Sequence, residues 1–374
     1  MSGTKQTILE PEADWANGWF QPGLVAGKAY SLDAGETTSL KLDQNESPWD
    51  WPDHLKDRIL QKLKSRSWNR YPDPFAADMH RLVADHAGVP AANLITTPGS
   101  NLLISLIFDA LAGLPAGKMH IARPSFSLFE SHCRFSGIDY QPWLLTDKYT
   151  YDCAALGDLT PGSVVLFASP NNPTGTCLPS AEFRDLLAAH PRTLFIADEA
   201  YYEFSDDPYT PLLGEFSNLL ILRTLSKTMG AAGIRLGYGI GSAAMITMLA
   251  KRRLPYLLNH FTVEAVSLML TDAEMKEFVQ RNIDNAIRER QRLAAALAPL
   301  GARGGFTVFP SGANFLLMRW ADGEACRTVY RRLMDDGVQL RDISGGPGLA
   351  GCLRVSTGTP EENDRFLAAL GRHL

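Results

Sequence analysis

Between Trp51 and about Leu270, short runs of aliphatic and β-branched residues alternate with longer stretches whose apolar positions recur at helical spacing. That alternation is the signature of βαβ units and a largely parallel sheet. It predicts strands at Leu94–Thr97, Met119–Ala122, Val164–Ser169, Leu194–Ala197, Leu219–Leu222 and Tyr238–Ile240. Further on, Met275, Phe278, Val279, Ile283, Ala286, Ile287 and Leu293 share one face of a long helix, with Thr271 and Glu274 as a capping box and Gly301 as the stop. Thr307–Phe309, Phe315–Arg319 and Cys352–Val355 read as strands flanking a helix near Glu324–Asp335. Residues 1–45 form an arm rich in Gly and turn formers, ending in an extended piece around Ser39–Leu42. The expected organisation is an arm over 1–45 that joins the small domain, a large α/β domain over 46–265 and a small α+β domain over 266–374.

Composition narrows the class of function. A chain of 374 residues with 45% hydrophobic and 21% charged residues buries a sizeable core. The net charge is −5 and the basic residues do not gather into a run, which argues against nucleic acid or a membrane surface and for a small-molecule partner. Cys133, Cys153, Cys177, Cys326 and Cys352 are scattered and never in Cys-x-x-Cys spacing, so neither a disulfide framework nor a metal site is expected. The first twenty residues carry acids and a proline where a secretory signal needs an apolar stretch, and no run of about 18 apolar residues occurs. A cytoplasmic protein is the expectation.

Open α/β sheets bind ligands at the C-terminal ends of their strands. Four of the expected strand ends carry unusual polar residues. Thr97-Pro98-Gly99-Ser100-Asn101 precedes an apolar helical run, and a helix N-terminus with small residues and hydroxyls suits an anion, although Ser and Asn also cap ordinary helices. Ser169-Pro170-Asn171-Asn172-Pro173-Thr174-Gly175 is the second, and two prolines and a glycine also build a plain turn. In the third, the apolar run Leu194-Phe195-Ile196-Ala197 delivers Asp198 into the crevice, where a buried carboxylate needs a cation such as a protonated pyridine nitrogen. In the fourth, Thr224 and Ser226 precede Lys227, small residues follow it, and Arg235 lies eight residues on, so one segment offers an amine nucleophile and phosphate ligands together.

The set Ser226-Lys227-x-x-Gly230-x-x-Gly233-x-Arg235, with the Asn171-Asn172-Pro173-Thr174-Gly175 and Asp198-Glu199-Ala200-Tyr201 blocks, resembles the fold-type I pyridoxal-phosphate enzymes, specifically the class I/II aminotransferases. Leu42–Pro48, Arg70–Pro74 and Leu353–Asn363 are similar to blocks of the histidinol-phosphate aminotransferase subfamily. The resemblance implies an α/β fold with a large, mainly parallel sheet of seven-stranded type and a smaller α+β domain. It implies that Lys227 holds pyridoxal 5'-phosphate as an imine, that Asp198 pairs with the pyridine nitrogen, and that Asn172 and Tyr201 bond the ring's phenolic oxygen. Phe126 is implied to stack on the ring. Ser100, Asn101, Thr224, Ser226 and Arg235 are implied to hold the phosphate, with Tyr71 reaching it from a neighbouring subunit of a homodimer.

For substrate, Arg354 matches the carboxylate-binding arginine and Arg341 the residue for a second anionic group, with Asn45 and Phe20 as further contacts. The implied activity is amino transfer from an amino donor, either histidinol phosphate or an aromatic or related amino acid, to 2-oxoglutarate in a ping-pong cycle of amino-acid biosynthesis. Decarboxylation of an amino acid phosphate is the alternative. The chain departs from the subfamily at Phe20, where a tyrosine is usual, at Asn101-Leu102, where an acidic pair is usual, and at Phe126 in place of tyrosine; Gly345–Gly348 after Arg341 is a further reshaping of the distal pocket.

Overall fold

The computed structural model describes residues 19–27 and 38–374. Residues 1–18 and 28–37 of the expected arm lie outside that description. Among the described residues, twelve strands follow in chain order: β1 (Leu40–Leu42), β2 (Leu94–Thr97), β3 (Met119–Arg123), β4 (Tyr140–Leu144), β5 (Val164–Ala168), β6 (Leu194–Asp198), β7 (Leu219–Thr224), β8 (Gly237–Gly241), β9 (Phe306–Val308), β10 (Phe315–Trp320), β11 (Val338–Asp342) and β12 (Cys352–Ser356). They form two sheets.

The larger sheet has seven strands in the order β2-β8-β7-β6-β5-β3-β4. All its neighbours pair in parallel except β8, which is antiparallel to β2 and to β7. Its central strands are apolar up to their C-terminal ends because both faces are covered: Val165, Phe167, Phe195 and Ile221 join one core, while Val164, Leu166, Ile196 and Leu222 join the core on the opposite face. In the smaller sheet, β1-β11-β12-β10-β9, β1 runs parallel to β11 and the rest are antiparallel.

Register brings the polar segments together. Gly237 of β8 stands opposite both Thr97 and Thr224, so the ends of β2 and β7 flank it on either side, and Ala168 stands opposite Asp198 at the ends of β5 and β6. A Cβ at Gly237 would sit 2.2 Å from the Ser100 backbone nitrogen, so this crossing requires glycine.

Two expectations change. The long helix begins at Ala273, with Asp272 rather than Thr271 as its cap: the Asp272 carboxylate accepts the Met275 N–H at 3.1 Å, and a separate helix occupies His260–Thr271. It continues past Gly301 to Gly304 and ends at Gly305, which takes the left-handed φ of 69°. Gly301 is a close-approach residue instead, since a Cβ there would lie 2.4 Å from the Phe306 carbonyl oxygen. β4 and β11 were not among the expected strands. β4 is an edge strand, largely exposed and interrupted by Pro142, which gives no apolar run. Among the described residues, no helix is long and apolar enough to cross a membrane.

Candidate active site

A cavity of about 780 Å³ opens where the C-terminal ends of the large sheet face β11, β12 and the loop after β11. Its inner end is electropositive. The helix Ser100–Ala110 starts there with Gly99 as its cap, and no side chain takes up its first N–H groups. Gly99 adopts φ of 75°, and an added Cβ would meet the Arg235 Nη2 at 2.4 Å, so the guanidinium lies directly on this turn. Arg235 donates to the Ala232 carbonyl at 3.0 Å and reaches the Ser226 hydroxyl at 3.4 Å. Thr224 donates to the Ser226 oxygen at 3.0 Å, which ties the two hydroxyls together. An uncapped helix N-terminus, a guanidinium and two hydroxyls converge on one point.

The middle of the cavity holds Asp198, whose carboxylate accepts the Ala200 N–H at 3.0 Å. Burial pushes its pKa up to about 7, with the neighbouring Glu199 charge adding to the rise. Glu199 itself turns away from the cavity into a buried pair with Arg223, 2.7 Å apart, and Arg223 in turn covers the Tyr202 ring at 3.6 Å. Alternation along this segment therefore separates a structural acid from the one in the cavity wall. The same division splits the two asparagines. Asn171 is buried, donating to the Pro124 carbonyl and to Thr174 and accepting from Ser125, whereas Asn172 faces the cavity and accepts from Arg354. Tyr201 receives a hydrogen bond from Asn45 Nδ2 at 2.9 Å.

Lys227 lies between the two ends, its Nζ donating to the Gln44 carbonyl at 2.8 Å. Burial, then the positive charge of Arg354, lowers its pKa to about 8; Arg235 and Lys41 act in the same direction and Glu46 opposes them. At neutral pH the neutral fraction of this amine is therefore far larger than that of an ordinary lysine, which favours its use as a nucleophile. At the outer end, Arg354 is fixed by the Asp43 carbonyl and Asn172. Arg341 stands directly opposite Arg354 on the adjoining strand, so two guanidinium-bearing positions are neighbours in the cavity wall.

The cavity wall contains Asn45, Ser100, Asn101, Phe126, Asn172, Asp198, Tyr201, Thr224, Ser226, Lys227, Arg235, Arg341 and Arg354. Phe20 and Tyr71 are not brought to it. Phe20 is 47% exposed, next to a short helix, Pro22–Val25, that leans on the helix Ser127–Ser136. Tyr71 is 80% exposed and stacks on Tyr256 at 4.6 Å. Sequence reasoning passed over Ala200 and Glu130 as wall residues, although Ala200 sits between two residues that it did select. Gly345, Gly346 and Pro347 line the outer chamber.

This donor set suits pyridoxal 5'-phosphate. An anion cradle at one end, a buried acid lacking any cation partner among the described residues in the middle, and an amine of lowered pKa beside it match the phosphate, the ring nitrogen and the aldehyde of that molecule in order.

The family model for aminotransferase class I and II matches residues 37–370. A histidinol-phosphate aminotransferase of Prosthecochloris aestuarii is 35% identical over 362 residues, covering 95% of this chain and 98% of the relative. Another, from Chromobacterium violaceum, is 36% identical over 358 residues, covering 94% and 97%. Among solved structures, the Sinorhizobium meliloti histidinol-phosphate aminotransferase in complex with pyridoxal-5'-phosphate superposes with a TM-score of 0.81 at 24% identity, covering 95% of this chain and 97% of that one. The L-threonine-O-3-phosphate decarboxylase of Porphyromonas gingivalis shares the fold at a TM-score of 0.76 and 24% identity, over 88% and 98% of the two chains. Matched along nearly its whole length by that family model and by relatives above 30% identity, the chain belongs to the class I and II aminotransferases and works with pyridoxal 5'-phosphate.

Proposed function

We propose that this aminotransferase takes the amino group from histidinol phosphate and passes it to 2-oxoglutarate in a ping-pong cycle. The observation that carries the reading is the opposition of Arg341 and Arg354 on β11 and β12. Like charges directly across a strand pair repel. A dianionic group between them removes the repulsion, and both a phosphate monoester and a dicarboxylate supply one. The relatives named histidinol-phosphate aminotransferase, at 32–36% identity, point to the same donor.

When bound, pyridoxal phosphate supplies an electron sink for the pair left at the substrate Cα. Lys227 would anchor it, and its free amine would take the proton from Cα. Asp198 keeps a proton on the pyridine nitrogen. Tyr201, oriented by Asn45, and Asn172, held by Arg354, bond the ring oxygen. Phe126 covers one ring face, and the Gly99–Asn101 turn, Thr224, Ser226 and Arg235 hold the phosphate. Tyr71 completes that phosphate site from the partner subunit of a homodimer, which accounts for an 80% exposed tyrosine held by stacking.

The test is direct. Holoenzyme incubated with histidinol phosphate and 2-oxoglutarate is expected to release glutamate. Absence of glutamate, with carbon dioxide released from an amino acid phosphate, would replace this reading with the decarboxylase one.

A further inference from the structure

We propose that Glu130 sets the ring specificity of the outer chamber, accepting a hydrogen bond from a ring N–H of the amino donor while Arg341 and Arg354 hold its anionic end. The proposal rests on the histidinol-phosphate reading and names what recognises the imidazole.

Glu130 belongs to the first turn of the helix Ser127–Ser136, four residues beyond Phe126, and both side chains contribute to the cavity wall. Its carboxylate is held from behind. Arg123, at the end of β3, lies 3.1 Å away through Nε. Arg123 is not part of the cavity wall, so of this pair only the acid lines the cavity.

Chemistry follows from that arrangement. A carboxylate already neutralised by a guanidinium does not demand a full positive charge, yet its remaining lone pairs accept an N–H. The class of group it selects is therefore a nitrogen heterocycle with a ring N–H, in preference to a benzene ring of the same size. Of the other carboxylates of the wall, Glu46 pairs with Lys41, Asp342 accepts the Ser344 N–H, Asp198 accepts the Ala200 N–H, and Asp43 accepts from Gln339 through Oδ2 while its Oδ1 has no hydrogen-bond partner among the described residues.

An acid in the first turn of a helix, paired with an arginine, also has a purely structural use. That use predicts lower stability without a change in substrate preference, which separates the two. The experiment compares histidinol phosphate with phenylalaninol phosphate, which keeps the amine and the phosphate ester but lacks a ring N–H, as amino donors to 2-oxoglutarate. Wild-type holoenzyme is expected to favour histidinol phosphate roughly 10- to 100-fold in kcat/KM, the difference lying in KM, as the loss of one hydrogen bond to a charged group predicts. Glu130→Met should erase that preference, and Glu130→Gln, which keeps an acceptor oxygen and the shape, should retain most of it, with the cofactor's absorption band unchanged in both.

A wild type without preference, or a Glu130→Met enzyme that keeps it, overturns the proposal. An equal loss with both donors, accompanied by a lower Tm, assigns Glu130 the structural role and overturns it as well. If neither phosphorylated amine yields glutamate with the wild type, the histidinol-phosphate reading itself has failed and this inference falls with it.

Discussion

At the inner end of the cavity the polar groups come from strand ends locked in register, whereas at the outer end they come from a helix turn, a short strand of the second sheet and a loop. Thr97, Thr224 and Gly237 share one rung of the large sheet, and the Arg235 guanidinium packs on the Gly99 backbone with no room for a Cβ. The outer chamber is lined by Arg341 and the loop residues Gly345, Gly346 and Pro347, and Glu130 also belongs to the cavity wall. The difference teaches that the inner end is a rigid seat suited to one anionic group, whereas the character of the outer end depends more on its individual residues. Substitutions at the inner end should lower turnover with every donor, while those at the outer end should change KM for one class of donor.

The sharpest break is at Lys227. On the proposed roles, Lys227→Ala would remove both the anchor and the proton acceptor, so single-turnover rates should fall toward the upper end of the roughly 10²- to 10⁴-fold expected of general acid–base groups. All donors should suffer alike. A donor-dependent loss would contradict the division between the two ends. Asp198→Asn comes next. Without a charge to keep the pyridine nitrogen protonated, kcat should drop about 10²- to 10³-fold, the scale of a lost electrostatic contact to developing charge, again for every donor.

Cofactor retention ranks third. Arg235→Met should weaken binding of pyridoxal phosphate roughly 10- to 100-fold by removing charge-assisted bonds, measured by equilibrium dialysis. Gly99→Ala should approach the same effect by pushing the guanidinium off its seat, without altering any charge. In contrast, Arg341→Met should leave cofactor binding unchanged and raise KM for a phosphorylated donor about tenfold. Loss of cofactor from that variant would erase the distinction between the two regions.

The same contrast explains what was legible in the sequence. Asp198, Lys227 and Arg235 announce themselves because a continuous apolar run forces the next residues into the crevice, where a charged side chain needs a reason. Whether Glu199 or Asp198 faced the cavity was set by strand alternation, and Arg223 confirms the outcome by pairing with Glu199. Glu130 carried no such signal: an acid in the first turn of an amphipathic helix looks like an ordinary solvated residue until tertiary packing places it in the cavity wall. β4 was hidden for a related reason, being an exposed edge with a proline. Phe20 was selected by analogy with a motif, and its segment leans on the helix Ser127–Ser136 with the ring 47% exposed.

The smallest effect tests how the two ends act together on Lys227. Its pKa is depressed first by burial, then by Arg354 from the outer side, and more weakly by Arg235 from the inner side. Only the neutral amine attacks an aldehyde, so the rate at which cofactor-free protein captures pyridoxal phosphate should rise with pH and level off above about 8. Below that midpoint it should fall about tenfold per pH unit, because the protonated fraction grows by that factor. Removing a nearby positive charge stabilises the protonated amine and moves the midpoint up. Arg354→Gln should therefore shift it further than Arg235→Gln, since Arg354 exerts the larger of the two repulsions. Stopped-flow absorbance across pH 6.5 to 10 reads the midpoints directly, and a larger shift for Arg235→Gln would mean that the lysine answers to the phosphate end of the cavity.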